Sequence, residues 1–141
     1  MDGKTILVVE DHELNMKLIR ALLQTNQFRV LEAQNAEVGL QFAREEKPDL
    51  ILMDIQLPGM DGLTATGILK QDPSTQKIPV VALTSYAMRG DKEKAKAAGC
   101  DDYITKPIDT RRFLGIVHSF LGDKSSPVSV LVSGGTRQNI S

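Results

Sequence analysis

A chain of 141 residues with 41% hydrophobic and 25% charged side chains is one domain of ordinary size, able to bury its own core without a staple. Its net charge of −1 excludes the broad basic field of a nucleic-acid binder, and no apolar run approaches the ~18–20 residues of a membrane span. A lone cysteine, Cys100, excludes an internal disulfide, and Met1–Thr5 with only four apolar residues after it is no signal peptide, so a cytoplasmic protein is expected.

The expected elements alternate along the chain. The apolar run Ile6–Val9 is followed by a helical stripe of Leu14, Leu18, Ala21 and Leu22. A shorter run, Arg29–Leu31, precedes a helix with Ala36, Leu40 and Ala43 on one face, Asn35 as its N-cap and Pro48 beyond its end. Leu50–Met53 is the third run, and Gly62 to about Lys70 the helix after it. Val80–Leu83 leads into a helix over 89–98 that Gly99 stops; its apolar face is mostly alanine, so it has little area to bury and should be loosely held. Tyr103–Ile104 is the last run. The final helix carries Phe113, Ile116, Val117, Phe120 and Leu121 on one face, with Asp109 to cap it and Gly122 to end it.

Five strand–helix repeats imply an α/β domain, a doubly wound parallel sheet with right-handed crossovers and helices on both faces. Unalternating runs such as the first, third and fourth fit strands covered on both sides. In such sheets ligands bind at the carboxyl ends of the strands, so the chemistry should lie just after the apolar runs. It does: Glu10 and Asp11 follow the first run, Asp54 the third, Thr84 and Ser85 the fourth, and Thr105, Lys106 and Pro107 the fifth. Each alone is an ordinary turn or cap; together they place three carboxylates, a hydroxyl and an amine on one rim. Carboxylates about 4 Å apart repel by roughly 4 kcal/mol per pair at an effective dielectric near 20, so the cluster must hold protons or a cation. All-oxygen ligands favour Mg²⁺, beside which a carboxylate can attack phosphorus to give an aspartyl phosphate. Lys106 would then neutralise the transferred oxygens and Thr84 would donate to one of them.

The sequence resembles the CheY-like receiver domain of bacterial two-component response regulators over about residues 4–122. The motifs that carry the likeness are Ile6-Leu7-Val8-Val9-Glu10-Asp11, Asp49-Leu50-Ile51-Leu52-Met53-Asp54-Ile55-Gln56-Leu57-Pro58-Gly59-Met60-Asp61-Gly62, Pro79-Val80-Val81-Ala82-Leu83-Thr84, Ala98-Gly99-Cys100-Asp101-Asp102-Tyr103 and Lys106-Pro107. It is especially similar to the single-domain regulators of cell division, through Glu10-Asp11-His12-Glu13-Leu14-Asn15-Met16-Lys17-Leu18 and Leu52-Met53-Asp54-Ile55-Gln56-Leu57-Pro58. The resemblance implies a flavodoxin-like, five-stranded sheet of order 2-1-3-4-5 with five helices. It also implies that Asp54 accepts phosphate from a histidine kinase or histidine phosphotransfer protein. Asp11, Asp54 and the backbone carbonyl of Gln56 would ligate Mg²⁺, with Glu10 acting mainly through a metal-bound water. Lys106 would contact the phosphoryl group, the bond before Pro107 would be cis, and Thr84 and Tyr103 occupy the two switch positions. Glu10 stands where aspartate is the commoner residue and supplies its oxygen from one methylene further out.

The expected function is therefore a phosphorylation-dependent switch, monomeric or weakly dimeric, that controls a downstream protein through the surface around the fourth helix, fifth strand and fifth helix. A Mg²⁺-dependent phosphohydrolase with an aspartyl nucleophile is the enzyme alternative, but such enzymes place a second acid two residues on, where this chain has Gln56. A dinucleotide-binding domain lacks support because Val9–Glu13 holds no glycine. A receiver-like module that takes no phosphate would not need the full set of acids. His12, His118 and Cys100 read as an exposed first-turn residue, a helix-end residue and a small packed side chain. Residues 1–122 form the expected receiver unit; 123–141, with Asp123–Pro127 as a hinge and partial strand alternation in Val128–Ser133, read as a flexible tail or linker.

Overall fold

The structure, a computed structural model, describes residues 3–85 and 89–122. The tail over 123–141 lies outside the described residues. Among the described residues ten elements alternate: β1 (Thr5–Val9), α1 (Glu13–Thr25), β2 (Arg29–Ala33), α2 (Ala36–Glu46), β3 (Leu50–Asp54), α3 (Gly62–Gln71), β4 (Val80–Thr84), α4 (Arg89–Ala98), β5 (Asp102–Thr105) and α5 (Thr110–Leu121). The strands form one parallel sheet in the order β2-β1-β3-β4-β5. Every residue of β3 and β4 is buried, which is why those runs carry no alternation. The outer strands run further than their apolar stretches suggest. In β2 the run continues past Glu32, whose carboxylate turns outward to meet Arg20 at 2.7 Å, as an edge strand permits.

Pleating sends alternate residues to two separate cores. Leu7, Val9, Ile51, Met53, Val80 and Ala82 pack with Ala36, Leu40, Ala43, Ala65, Leu69 and Ala95 from α2, α3 and α4. Ile6, Val8, Leu50, Leu52, Val81, Leu83 and Ile104 pack with Met16, Ile19, Leu23, Phe113 and Val117 from α1 and α5. The expected caps form: Asn35 accepts from Val38 N–H at 2.8 Å, and Asp109 accepts from Arg111 and Arg112 N–H at 3.1 and 3.3 Å.

The stripe expected for the first helix is corrected. The buried residues of α1 are Met16, Ile19 and Leu23; of the expected stripe Leu22 packs against them, whereas Ala21 is exposed and Leu14 and Leu18 are 79% and 41% exposed. The helix is apolar on two faces, and only the position of the sheet decides which is covered. Leu23→Ala should therefore cost about 3 kcal/mol and Leu14→Ala under about 0.5 kcal/mol, as read from urea unfolding midpoints. Equal losses would contradict this register.

Helix α4 matches its sequence: among its described side chains only Ala95 is buried. Its C-terminal end is nevertheless secured. Gly99, at φ +108°, turns the chain so that Cys100 N–H donates back to Ala95 at 2.9 Å. Beside it, Lys70 donates to the Ile78 carbonyl at 2.8 Å and to Asp101 at 3.1 Å, and Asp101 accepts from Val80 N–H at 2.8 Å.

Candidate functional site

Parallel pairing brings the ends of β1, β3, β4 and β5 to one rim, with Val9 opposite Met53, Asp54 opposite Leu83 and Thr84 opposite Thr105. Glu10 leaves β1 with its N–H donated to Ala33 at 3.0 Å; Lys106 leaves β5 with its N–H donated to the Thr84 carbonyl at 2.7 Å. The Lys106–Pro107 peptide is cis, as expected. Glu10, Asp54 and Thr84 are buried, and Asp11 is exposed.

Carboxylate oxygens of Glu10, Asp11 and Asp54 lie within 4.8 Å of one another. The Lys106 ammonium bridges two of the acids, 2.8 Å from Glu10 Oε1 and donating to Asp54 Oδ2 at 3.1 Å. The contact with Oε1 is a close ion pair of poor hydrogen-bond alignment, which leaves that buried oxygen incompletely bonded. The other oxygens are aimed by the backbone. Gln56 N–H donates to Asp54 Oδ1 at 2.8 Å and His12 N–H to Glu10 Oε2 at 3.0 Å, each an acid bonding the amide two residues on. Gln56 itself is exposed.

Burial raises the Glu10 pKa above the usual carboxylate value, against the lowering effect of Lys106. Burial also works to lower the Lys106 pKa, but Glu10 and Asp54 outweigh it and hold the ammonium charged to above its ordinary range. Among the described residues the cluster sets three carboxylates beside one ammonium, which touches two of them. The donor set is hard oxygen, one buried oxygen is incompletely bonded, and the uncompensated charge is negative, so these residues fit Mg²⁺.

Tyr103 on β5 is half-buried, with the Lys92 ammonium of α4 5.9 Å from its ring centroid. The remaining candidates lie apart from the acids or contribute only backbone. The His12 side chain is exposed. His118 packs against Phe28, which precedes β2 at the opposite edge of the sheet. Cys100 is buried 3.9 Å from the Thr66 hydroxyl. Two contacts have no signal in the sequence: that of Lys92 with Tyr103, and the close approach of Gly62 to the Asp54 backbone.

This is a doubly wound domain with an acidic carboxyl-end rim and a lysine-bridged aspartate, and the chain belongs to the family of response regulator receiver domains, whose model matches residues 6–118. It is a domain of two-component signalling. It is 48% identical over 120 residues to the polar-differentiation response regulator DivK of Brucella anthropi, covering 85% of this chain and 98% of that protein. The receiver domain of sensor histidine kinase PA1611 from Pseudomonas aeruginosa, a structure with a magnesium ion coordinated in its active-site cleft, is 33% identical. It superposes with a TM-score of 0.80 over 86% of this chain and 99% of that one. A co-crystal structure of the Saccharomyces cerevisiae histidine phosphotransfer protein Ypd1 with the receiver domain of Ssk1 matches at 26% identity and a TM-score of 0.77, covering 84% of this chain and 89% of that one. No described helix is long and apolar enough to cross a membrane.

Proposed function

We propose that the chain is a phosphorylation-controlled switch that takes a phosphoryl group onto Asp54 and passes the change to a downstream protein. The carrying observation is the position of Asp54: buried at the end of β3, aimed by Gln56 N–H, paired with Lys106 and flanked by Glu10 and Asp11.

A carboxylate oxygen of Asp54 attacks the phosphorus of a phosphohistidine, and the phosphorus–nitrogen bond breaks with its electron pair leaving on the imidazole. Glu10, Asp11, Asp54 and the Gln56 carbonyl would hold Mg²⁺, which when bound supplies charge neutralisation at the transferring oxygens. Lys106 moves its ammonium from the carboxylates to a phosphoryl oxygen, and the Thr84 hydroxyl donates to another. The added ~1.5–2 negative charges draw Thr84 towards the rim, and the Tyr103 ring turns inward into the space it leaves. The surface of α4, β5 and α5 changes with it. Moving such an equilibrium from 1:99 to 99:1 takes about 5.5 kcal/mol, within reach of a few charge-assisted hydrogen bonds at roughly 1.5–3 kcal/mol each.

The phosphodonor is a histidine kinase or a histidine phosphotransfer protein. Exposed Leu14 and Leu18, on the helix that starts just after Asp11, give such a partner an apolar seat beside the rim. The chain works in the cytoplasm as a monomer or weak dimer, binds no nucleic acid directly, and its receiver unit ends at Gly122. It regulates rather than turns over substrate, because Gln56 stands where an aspartyl phosphohydrolase needs its second acid.

Intact mass after phosphoramidate with Mg²⁺ tests the proposal. The wild type should gain one phosphoryl group and Asp54→Asn none. Steady release of phosphate from unrelated monoesters would instead favour the hydrolase, and no gain from any small donor or kinase would leave a phosphate-independent module.

A further inference from the structure

We infer that Lys92 is a positioning residue for Tyr103, holding its ring outward against α4 and so setting how much of the protein is switched before any phosphate arrives. The inference rests on the proposal that Tyr103 turns inward on phosphorylation, and it assigns a restraint on that movement.

The geometry is specific to the two ends of α4. At the C-terminal end, Gly99, the backbone bond from Cys100 and the Lys70–Asp101 network tie the helix to α3 and the start of β5. Further back, Ala95 is the described side chain that the core holds. One turn before it, Lys92 has no apolar seat of its own: it is exposed, and its ammonium lies over the Tyr103 ring at 5.9 Å from the centroid. A cation over the face of a half-buried tyrosine attracts the ring quadrupole. That attraction exists only while the ring stands on the α4 side. An inward ring loses it, so Lys92 stabilises the outward state alone, and a ligand-like contact made in one state shifts the population towards that state. A surface contact of this kind changes an equilibrium about two- to five-fold, enough to set a basal level and too little to block phosphorylation.

The test uses the full chain with ring-labelled tyrosine, in a Tyr86→Phe background that leaves Tyr103 as the single tyrosine. Wild-type spectra before and after phosphoramidate with Mg²⁺ define the two end points. In the unphosphorylated protein, Lys92→Gln should move the Tyr103 ring resonance along the line towards the phosphorylated end point, raising the inward population about two- to five-fold, while Lys92→Arg, which keeps a cation for the ring, should stay at the wild-type position. If both variants coincide with wild type while phosphorylation still moves the ring, the inference is overturned and the switch stands. If both variants move alike, the cation is not the cause and the inference is again overturned. If phosphorylation leaves the wild-type ring where it was, the switch reading fails and takes this one with it.

Discussion

Lys106→Ala should destabilise the metal-free protein by about 3 kcal/mol near neutral pH, because it leaves two buried carboxylates without their shared cation. Their side chains are 0% and 3% exposed for Glu10 and Asp54, against 12% for Lys106, so water does little to screen the loss. The deficit should shrink on acidification, and the sign follows from Glu10. Its carboxyl is already raised above the ordinary 4.5 by burial, and loses the opposing help of Lys106 in the variant. A raised carboxyl contributes stability that is full below its unfolded pKa and lost as pH rises through the folded one. Urea midpoints measured from pH 4.5 upward should therefore fall more steeply for the variant than for the wild type. In the wild type, Lys106 is held charged beyond its ordinary 10.5, so its own contribution should persist up to that pH and disappear above it. The same substitution should slow phosphoryl uptake by about 10²–10³-fold, the usual cost of removing one charge-stabilising donor. A variant as stable as the wild type at every pH would show that the Lys106 bridge carries no weight.

Gly62→Ala should be the most damaging single-methyl change near the site. A Cβ at the first residue of α3 would overlap the Asp54 carbonyl oxygen and lie 2.8 Å from Ile55 Cα, both backbone atoms with no rotamer in which to escape. The strand end must move, at a cost of about 1–3 kcal/mol. Because the atoms displaced belong to Asp54, phosphoryl uptake should fall further than stability does, by about 10²-fold for a shift near 1 Å. Gly67→Ala is the control: it lies in the same helix with nothing within 4 Å of its added Cβ, and should be neutral or stabilising by up to about 1 kcal/mol. Equal effects at the two glycines would refute the argument.

The sheet was legible because β1, β3 and β4 are continuous apolar runs, and each is followed at once by a polar residue with a chemical use. That coincidence put Glu10, Asp11, Asp54 and Thr84 on one rim without any geometry, and the shorter run of β5 added Lys106. Edge strands were under-read, since half of β2 faces solvent and carries charge there. The register of α1 was misread for a different reason: Glu13–Thr25 holds two interleaved apolar stripes, and their difference lies in what the sheet covers rather than in the helix. The sharing of Lys106 between two acids, at 2.8 and 3.1 Å, depends on strand ends 52 residues apart and more being brought together, which no local pattern encodes. The amide locks on Glu10 and Asp54 were readable in principle, as an acid followed two residues later by a free N–H in a tight turn.

The two cores differ in texture. The one beneath α1 and α5 is filled by Met16, Ile19, Leu23, Phe113 and Val117, whereas α2, α3 and α4 bring four alanines, Ala36, Ala43, Ala65 and Ala95, beside Leu40 and Leu69. Large interlocked side chains resist sliding, whereas small ones let a helix shift with few rotamers to rearrange. The sheet thus divides a face seated on large side chains from one seated in greater part on small ones. Substitutions behind the first should set how long the protein lasts, and substitutions behind the second how readily it responds, so the two properties can be tuned, by evolution or by design, almost independently.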